Sequence, residues 1–244
     1  MGDEASIVSY SISIDPERAP TGALWFVGFI LGGMMQIIDL SFEMKDGSLA
    51  YPGTAPGLVL ERMDNEFPDC TVSRFTLLDA HCGTHFDAPL HYVPKADDVA
   101  TTPLVLPEIV LISSCESTLS PIVLKDHPSL EGKAVLFSTG WEKGAGTKEF
   151  FEGFPVLSEA LAEQLVTRNV ALVGLDSPSV DAASGDYPVH RALLSAGIPI
   201  VEGLVNLASL IPHIASGSCV RLAAFPLRIR GLEGSPVRAV AIIE

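Results

Sequence analysis

Three of the chain's six histidines and one aspartate fall within eleven residues, His81-Cys82-Gly83-Thr84-His85-Phe86-Asp87-Ala88-Pro89-Leu90-His91. Imidazole nitrogens with a carboxylate oxygen suit a borderline cation such as zinc, or manganese or iron in an open site. Positions 81, 85, 87 and 91 are all odd, so an extended backbone turns their side chains to one face. A straight strand would also hold His81 and His85 about 13 Å apart, too far for one ion. The backbone must bend between them, and Gly83-Thr84 is where it can. Pro89 excludes a continuous helix through Asp87 and His91. The expectation is a kinked strand end folded back around metal. A chance gathering of polar residues at a turn needs neither this spacing nor a glycine at the bend. Cys82, at an even position, should point away.

His190 and Glu202 could add to this cluster. A helix starting at Pro188 would descend about 10 Å from His190 to Gly197. The apolar run Ile198-Pro199-Ile200-Val201 could climb back about 16 Å to Glu202, placing both side chains at one edge. Alone, the pattern also fits a solvated helix-start histidine and a solvated strand-end glutamate. His127 and His213 read as surface residues beside prolines.

These side chains need a scaffold. Apolar runs predict strands at Ile37–Ser41, Leu58–Arg62, Val72–Leu78, Ile109–Ile112, Ala134–Ser138, Ala171–Gly174, Ile198–Val201, Val220–Leu227 and Val237–Ile243. One helix is expected over Glu159–Thr167, capped by Ser158. A second is expected over Pro188–Ala196, with proline in its first turn and Gly197 at its end. The alternation predicts an α/β fold, a single domain with a mixed β-sheet. Gly144-Ala145-Gly146 follows a strand, but Glu149 stands where a dinucleotide fingerprint needs its third glycine. Neither a G-x-S-x-G elbow nor a P-loop is present.

Composition narrows the class. With 48% hydrophobic and 18% charged residues in 244, the chain can bury a sizeable core. Thirty acidic against fifteen basic residues give a formal charge of −15, which argues against nucleic acid or an anionic membrane as partner. Cys70, Cys82, Cys115 and Cys219 form no C-x-x-C pair, which favours a reducing, cytoplasmic setting. The apolar stretch 22–35 is too short to span a bilayer and lacks the positive flank of a secretory signal. Residues 1–34 are expected to be an appended extension or a misassigned start, with the working domain over 35–244.

The eleven-residue segment resembles the H-x-G-T-H-x-D-x-P-x-H motif of the cyclase-like metal-dependent hydrolases, which include bacterial kynurenine formamidase and isatin hydrolase. Tyr51-Pro52-Gly53, Asp176-Ser177-Pro178-Ser179-Val180-Asp181, His190 and Glu202-Gly203-Leu204 are similar to that family too. The resemblance implies a swivelling β/β/α fold, in dimers or tetramers. It implies His81 and His85 on a first metal ion, His190 on a second, and Asp87 and Glu202 bridging both. It leaves His91 free as general acid and base, with Tyr51 lining the substrate pocket. Zinc is the expected ion, one or two per chain, with manganese as the alternative. The implied substrate is N-formyl-kynurenine, hydrolysed by metal-activated water while His91 carries a proton to the leaving nitrogen. Opening of an isatin-like cyclic amide or a lactone is the rival reaction. A structural metal protein without turnover is the non-enzymatic one, but structural zinc sites are usually closed by four ligands and rich in cysteine.

Overall fold

Period-two alternation of apolar side chains sets the layering of the molecule. The computed structural model describes residues 25–30, 33–64 and 70–244. Its larger sheet joins β6 (Ile109–Ser113), β8 (Ala134–Ser138), β10 (Leu172–Leu175) and β11 (Ile200–Glu202) in parallel. It then turns antiparallel through β5 (His85–Asp87) to β13 (Gly234–Pro236). Its spatial order is β13-β5-β11-β10-β8-β6, so the sheet is mixed, as expected.

Along β8, Val135 and Phe137 face one side of this sheet, and Ala134 and Leu136 face the other. The first side packs on α1 (Glu159–Thr167) and α2 (Pro188–Ser195) through Leu161, Leu165, Val189, Leu193 and Leu194. The opposite side packs on a second, antiparallel sheet of order β1-β2-β14-β12. Its strands are β1 (Trp25–Ile30), β2 (Gly33–Asp39), β12 (Val220–Ala223) and β14 (Val240–Ile243). Ile38, Leu40, Leu222, Ala241 and Ile243 fill the seam between the sheets. The result is a β/β/α stack.

Two smaller pairs complete the strand set. The hairpin of β3 (Leu58–Met63) and β4 (Val72–Leu77) is exposed along most of its length, and β7 (Thr118–Leu119) lies parallel to β9 (Val156–Leu157). A short helix, α3 (Ile211–Ala215), precedes β12.

The expected helices form nearly residue for residue, and the Ser158 side chain accepts from the Leu161 N–H as a cap. Several strand ends move. The run expected over Ile198–Val201 begins later and includes Glu202, and the run expected over Val220–Leu227 stops at Ala223. The run expected over Val237–Ile243 begins later, at Val240, and pairs with β2 and β12, while an unexpected strand, Gly234–Pro236, precedes it and pairs with β5 in the other sheet. Near the N-terminus β1 pairs with β2 from Trp25↔Ile38 to Ile30↔Gly33, so the expected boundary at 34/35 falls inside β2. Residues 1–24 of the expected extension lie outside the described residues. No helix among the described residues is long and apolar enough to cross a membrane.

Candidate metal centre

β5 is only three residues long, yet it positions two of the site's side chains. Phe86 points into the seam between the sheets, so His85 and Asp87 point the other way. The antiparallel register sets Glu202 of β11 directly across from His85. On the other side it sets Gly234 of β13 across from Asp87. His85, Asp87 and Glu202 are all buried, with Asp87 0% exposed.

The bend expected before β5 is present. Gly83 has φ +70°, in the left-handed region that glycine adopts without a Cβ penalty. It returns His81 to within 5.0 Å of His85 between ring centroids. Cys82 faces away, buried against Ala50 and Leu58 with its Sγ near the Ser48 and Leu49 carbonyls. Pro89 opens a single 3₁₀ turn, Pro89–His91, which brings the His91 ring 4.4 Å from that of His81 and 5.7 Å from that of His190.

α2 delivers His190 from the opposite side. The Asp181 carboxylate accepts from the Val189 N–H at 3.1 Å and the His190 N–H at 2.9 Å, satisfying two donors that a helix start leaves open. The same carboxylate lies 2.7 Å from His190 Nδ1. There the Nδ1–H donates to Asp181, which leaves Nε2 facing Asp87 and Glu202. His85 is set similarly: Nδ1 lies 3.0 Å from the Gly83 carbonyl, and Nε2 faces the carboxylates.

The two carboxylates are each divided between the two sides. Asp87 turns Oδ1 to His81 Nδ1 at 2.9 Å and to His85 Nε2 at 3.7 Å, and Oδ2 to His190 Nε2 at 3.6 Å. Glu202 turns Oε2 to His85 Nε2 at 3.3 Å and Oε1 to His190 Nε2 at 3.4 Å. Glu202 Oε1 also accepts from the Val180 N–H at 2.7 Å. Donors bound at about 2.0–2.2 Å to one ion lie roughly 3–3.6 Å from each other, so these spacings fit shared coordination.

Asp87 supplies the test of fit. Both its oxygens are buried, and neither has an aligned hydrogen bond. A buried ionised carboxylate left that way is costly unless a cation neutralises it. His85, Asp87 and Glu202 form one grouping of potential ligands, and His81, Asp87 and His91 form another. The histidine and carboxylate donor set fits a divalent metal.

Without metal, protons take over that neutralising role. Burial would lower the His81 pKa, but the Asp87 carboxylate beside it raises it to about 9. Burial also opposes the charge on His190, yet Asp181, Asp87 and Glu202 hold its pKa well above the ordinary histidine value. Asp87, against its burial, is held well below the usual carboxylate range by His81, His190 and His85. His91 differs: burial lowers its pKa, so it is neutral at pH 7 and able to accept a proton.

Two cavities meet at this cluster. A polar one of about 500 Å³ is lined by His81, His85, His91, His190 and Glu202, with Tyr92 and Tyr187. An apolar one of about 430 Å³ is lined by Phe42, Leu49, Phe150, Phe151 and Pro178. Tyr51, His81 and His85 line both. The Tyr51 hydroxyl is buried without a partner, and burial pushes its pKa up to about 12, so it stays a proton donor.

All seven residues expected at the site thus line it or are buried within it: Tyr51, His81, His85, Asp87, His91, His190 and Glu202. His127 and His213 are half-buried and line neither cavity. Sequence reasoning missed the work of Asp181, although its place ahead of Pro188 in a helix start was a usable signal. It also missed Gly234, where an added Cβ would stand 2.8 Å from His81 Cε1. Nothing in the local sequence marks that contact.

Known proteins resemble the chain over most of its length. A family model described as "Putative cyclase" matches residues 38–182. Kynurenine formamidase of Bacillus cereus is 32% identical over 209 residues, covering 83% of this chain and 95% of the relative. A potential metal-dependent hydrolase with cyclase activity superposes with a TM-score of 0.69 at 25% identity, covering 86% of this chain and 98% of that one. Isatin hydrolase A from Ralstonia solanacearum superposes with a TM-score of 0.73 at 23% identity, covering 86% and 92%.

Proposed function

The chain belongs to the cyclase family, and from that premise we propose that it is a metal-dependent hydrolase of non-peptide C–N bonds, an arylformamidase that converts N-formyl-kynurenine to kynurenine and formate. The observation that carries this reading is the division of Asp87 and Glu202 between His85 and His190, beside an apolar chamber. His81 and His85 would hold one divalent ion and His190 a second, with Asp87 and Glu202 shared. Zinc suits this nitrogen and oxygen set, and manganese is the alternative. A divalent ion there supplies Lewis acidity, polarising a carbonyl and acidifying water.

The chain's own residues do the rest. Phe42, Phe150 and Phe151 hold an aryl ring in the apolar chamber and keep water from it. Tyr51, protonated at any working pH, offers its O–H to the substrate from the wall common to both cavities. His91, neutral at pH 7, takes a proton and delivers it to the leaving nitrogen. The likeness to isatin hydrolase supports a second reading, opening of a cyclic amide within the same fold. Purified protein loaded with zinc or manganese should release formate from N-formyl-kynurenine and formyl-anilines. Turnover of isatin or a lactone without any formamide would move the assignment to the second reading, and no turnover of either class would leave a structural metal protein.

We further infer a cytoplasmic homo-oligomer. Leu60 and Phe75 stand exposed as a cross-strand pair on one face of the β3–β4 hairpin, an apolar surface that a second copy could cover. No disulfide forms among the described residues. A monomeric mass in sedimentation velocity would overturn the oligomer.

A further inference from the structure

We propose that Glu233 is a positioning residue for His81, the outer carboxylate that turns this ring so that Nδ1 faces the metal centre. The proposal rests on the reading of His81 as a metal ligand. The ring has two nitrogens with different surroundings. Nδ1 lies 2.9 Å from Asp87 Oδ1, inside the cluster. Nε2 is buried, has no hydrogen-bond partner, and lies 3.7 Å from Glu233 Oε1 on the outer side. A histidine that binds metal through one nitrogen carries its proton on the other, and that N–H needs an acceptor. Asp181 fills this need for His190 and the Gly83 carbonyl for His85. Glu233 is the group placed to fill it for His81.

The backbone around Glu233 is fixed where the side chain is not. The Ala88 N–H donates to the Glu233 carbonyl at 2.8 Å, and Gly234 pairs with Asp87 in the sheet. The His81 ring lies against Gly234 so closely that an added Cβ would meet Cε1 at 2.8 Å, Nε2 at 3.1 Å and Nδ1 at 3.2 Å. Glycine at 234 therefore makes room for the ring, and the carboxylate at 233 sets which nitrogen faces outward. The Glu233 side chain is 40% exposed, so it is free to swing the remaining distance.

The test measures zinc affinity by competition with a chromogenic chelator, alongside kcat and the melting temperature of the metal-free protein. Glu233→Ala should weaken zinc binding about 10–100-fold, the usual cost of losing an outer partner. Its metal-free melting temperature should stay at the wild-type value, which a merely structural role would not predict. Glu233→Gln retains an acceptor oxygen and should restore most of the affinity. Gly234→Ala should weaken zinc binding independently by crowding the ring. Wild-type zinc affinity in Glu233→Ala, with His81→Ala stripped of metal, would overturn the proposal. Wild-type affinity in His81→Ala would instead overturn the reading of His81 as a ligand.

Discussion

At the scale of single residues, the site separates groups that hold charge from one that moves it. His85 and Asp87 face the centre from the same strand, so His85→Ala and Asp87→Ala should each lose metal and activity together. His91 reaches the cluster from beyond Pro89, on its own turn, and its lowered pKa suits proton transfer. His91→Ala should keep near wild-type metal while kcat falls by about 10²–10⁴-fold, the usual worth of a general acid–base group. Elemental analysis of the purified variants decides this, and a stripped His91→Ala beside a loaded His81→Ala would exchange the two roles. Metal binding should also depend on pH in a definite direction. In the metal-free protein His81 holds a proton up to about pH 9 and His190 holds one well above the ordinary range. An incoming cation must displace those protons, so affinity rises with pH from 6 to 9 and falls on acidification, with a log-log slope of about one per proton released. A flat profile in chelator competition would remove these histidines from the ligand set.

At the scale of elements, α2 is both a support and a delivery arm for His190. Asp181→Ala removes the acceptor of two helix-start N–H groups and of the His190 ring. It should cost about 1 kcal/mol of stability in denaturant unfolding from the lost cap. It should also lower metal affinity about 10–100-fold, whereas destabilisation alone would leave affinity intact in the folded protein. This arm was partly legible beforehand, because Pro188 and Gly197 bracket a helix and both matter locally. The bend at Gly83 and the common face of His85 and Asp87 were legible for the same reason: they follow from spacing over a few residues. β13 was not. Gly234-Ser235-Pro236 has little strand propensity, and it becomes a strand only because β5 offers it a free edge. Its contact with His81 spans most of the chain, and no local pattern encodes such a distance.

At the scale of the whole molecule, the small sheet shows which part of the N-terminus the stack needs. All the β2–β14 pairs, from Val240↔Asp39 to Ile243↔Gln36, lie after residue 35. A chain starting at Met35 loses β1 but keeps those pairs and the seam residues Ile38 and Leu40. We propose that 35–244 is the working domain, so this shortened chain should fold, bind metal and turn over substrate. Loss of the cooperative unfolding transition in that chain would make β1 part of the domain. The pairing of β5 with β11 and β13 has a consequence for misfolding. Phe86 and Ala88 fill the apolar seam while His85 and Asp87 sit on the opposite face. A slip of one residue would drive both polar side chains into that seam and turn the phenylalanine out of it. Such a mispaired sheet would lose apolar burial and strand a carboxylate among aliphatic groups, so the residues selected for chemistry also act as a guard on strand alignment.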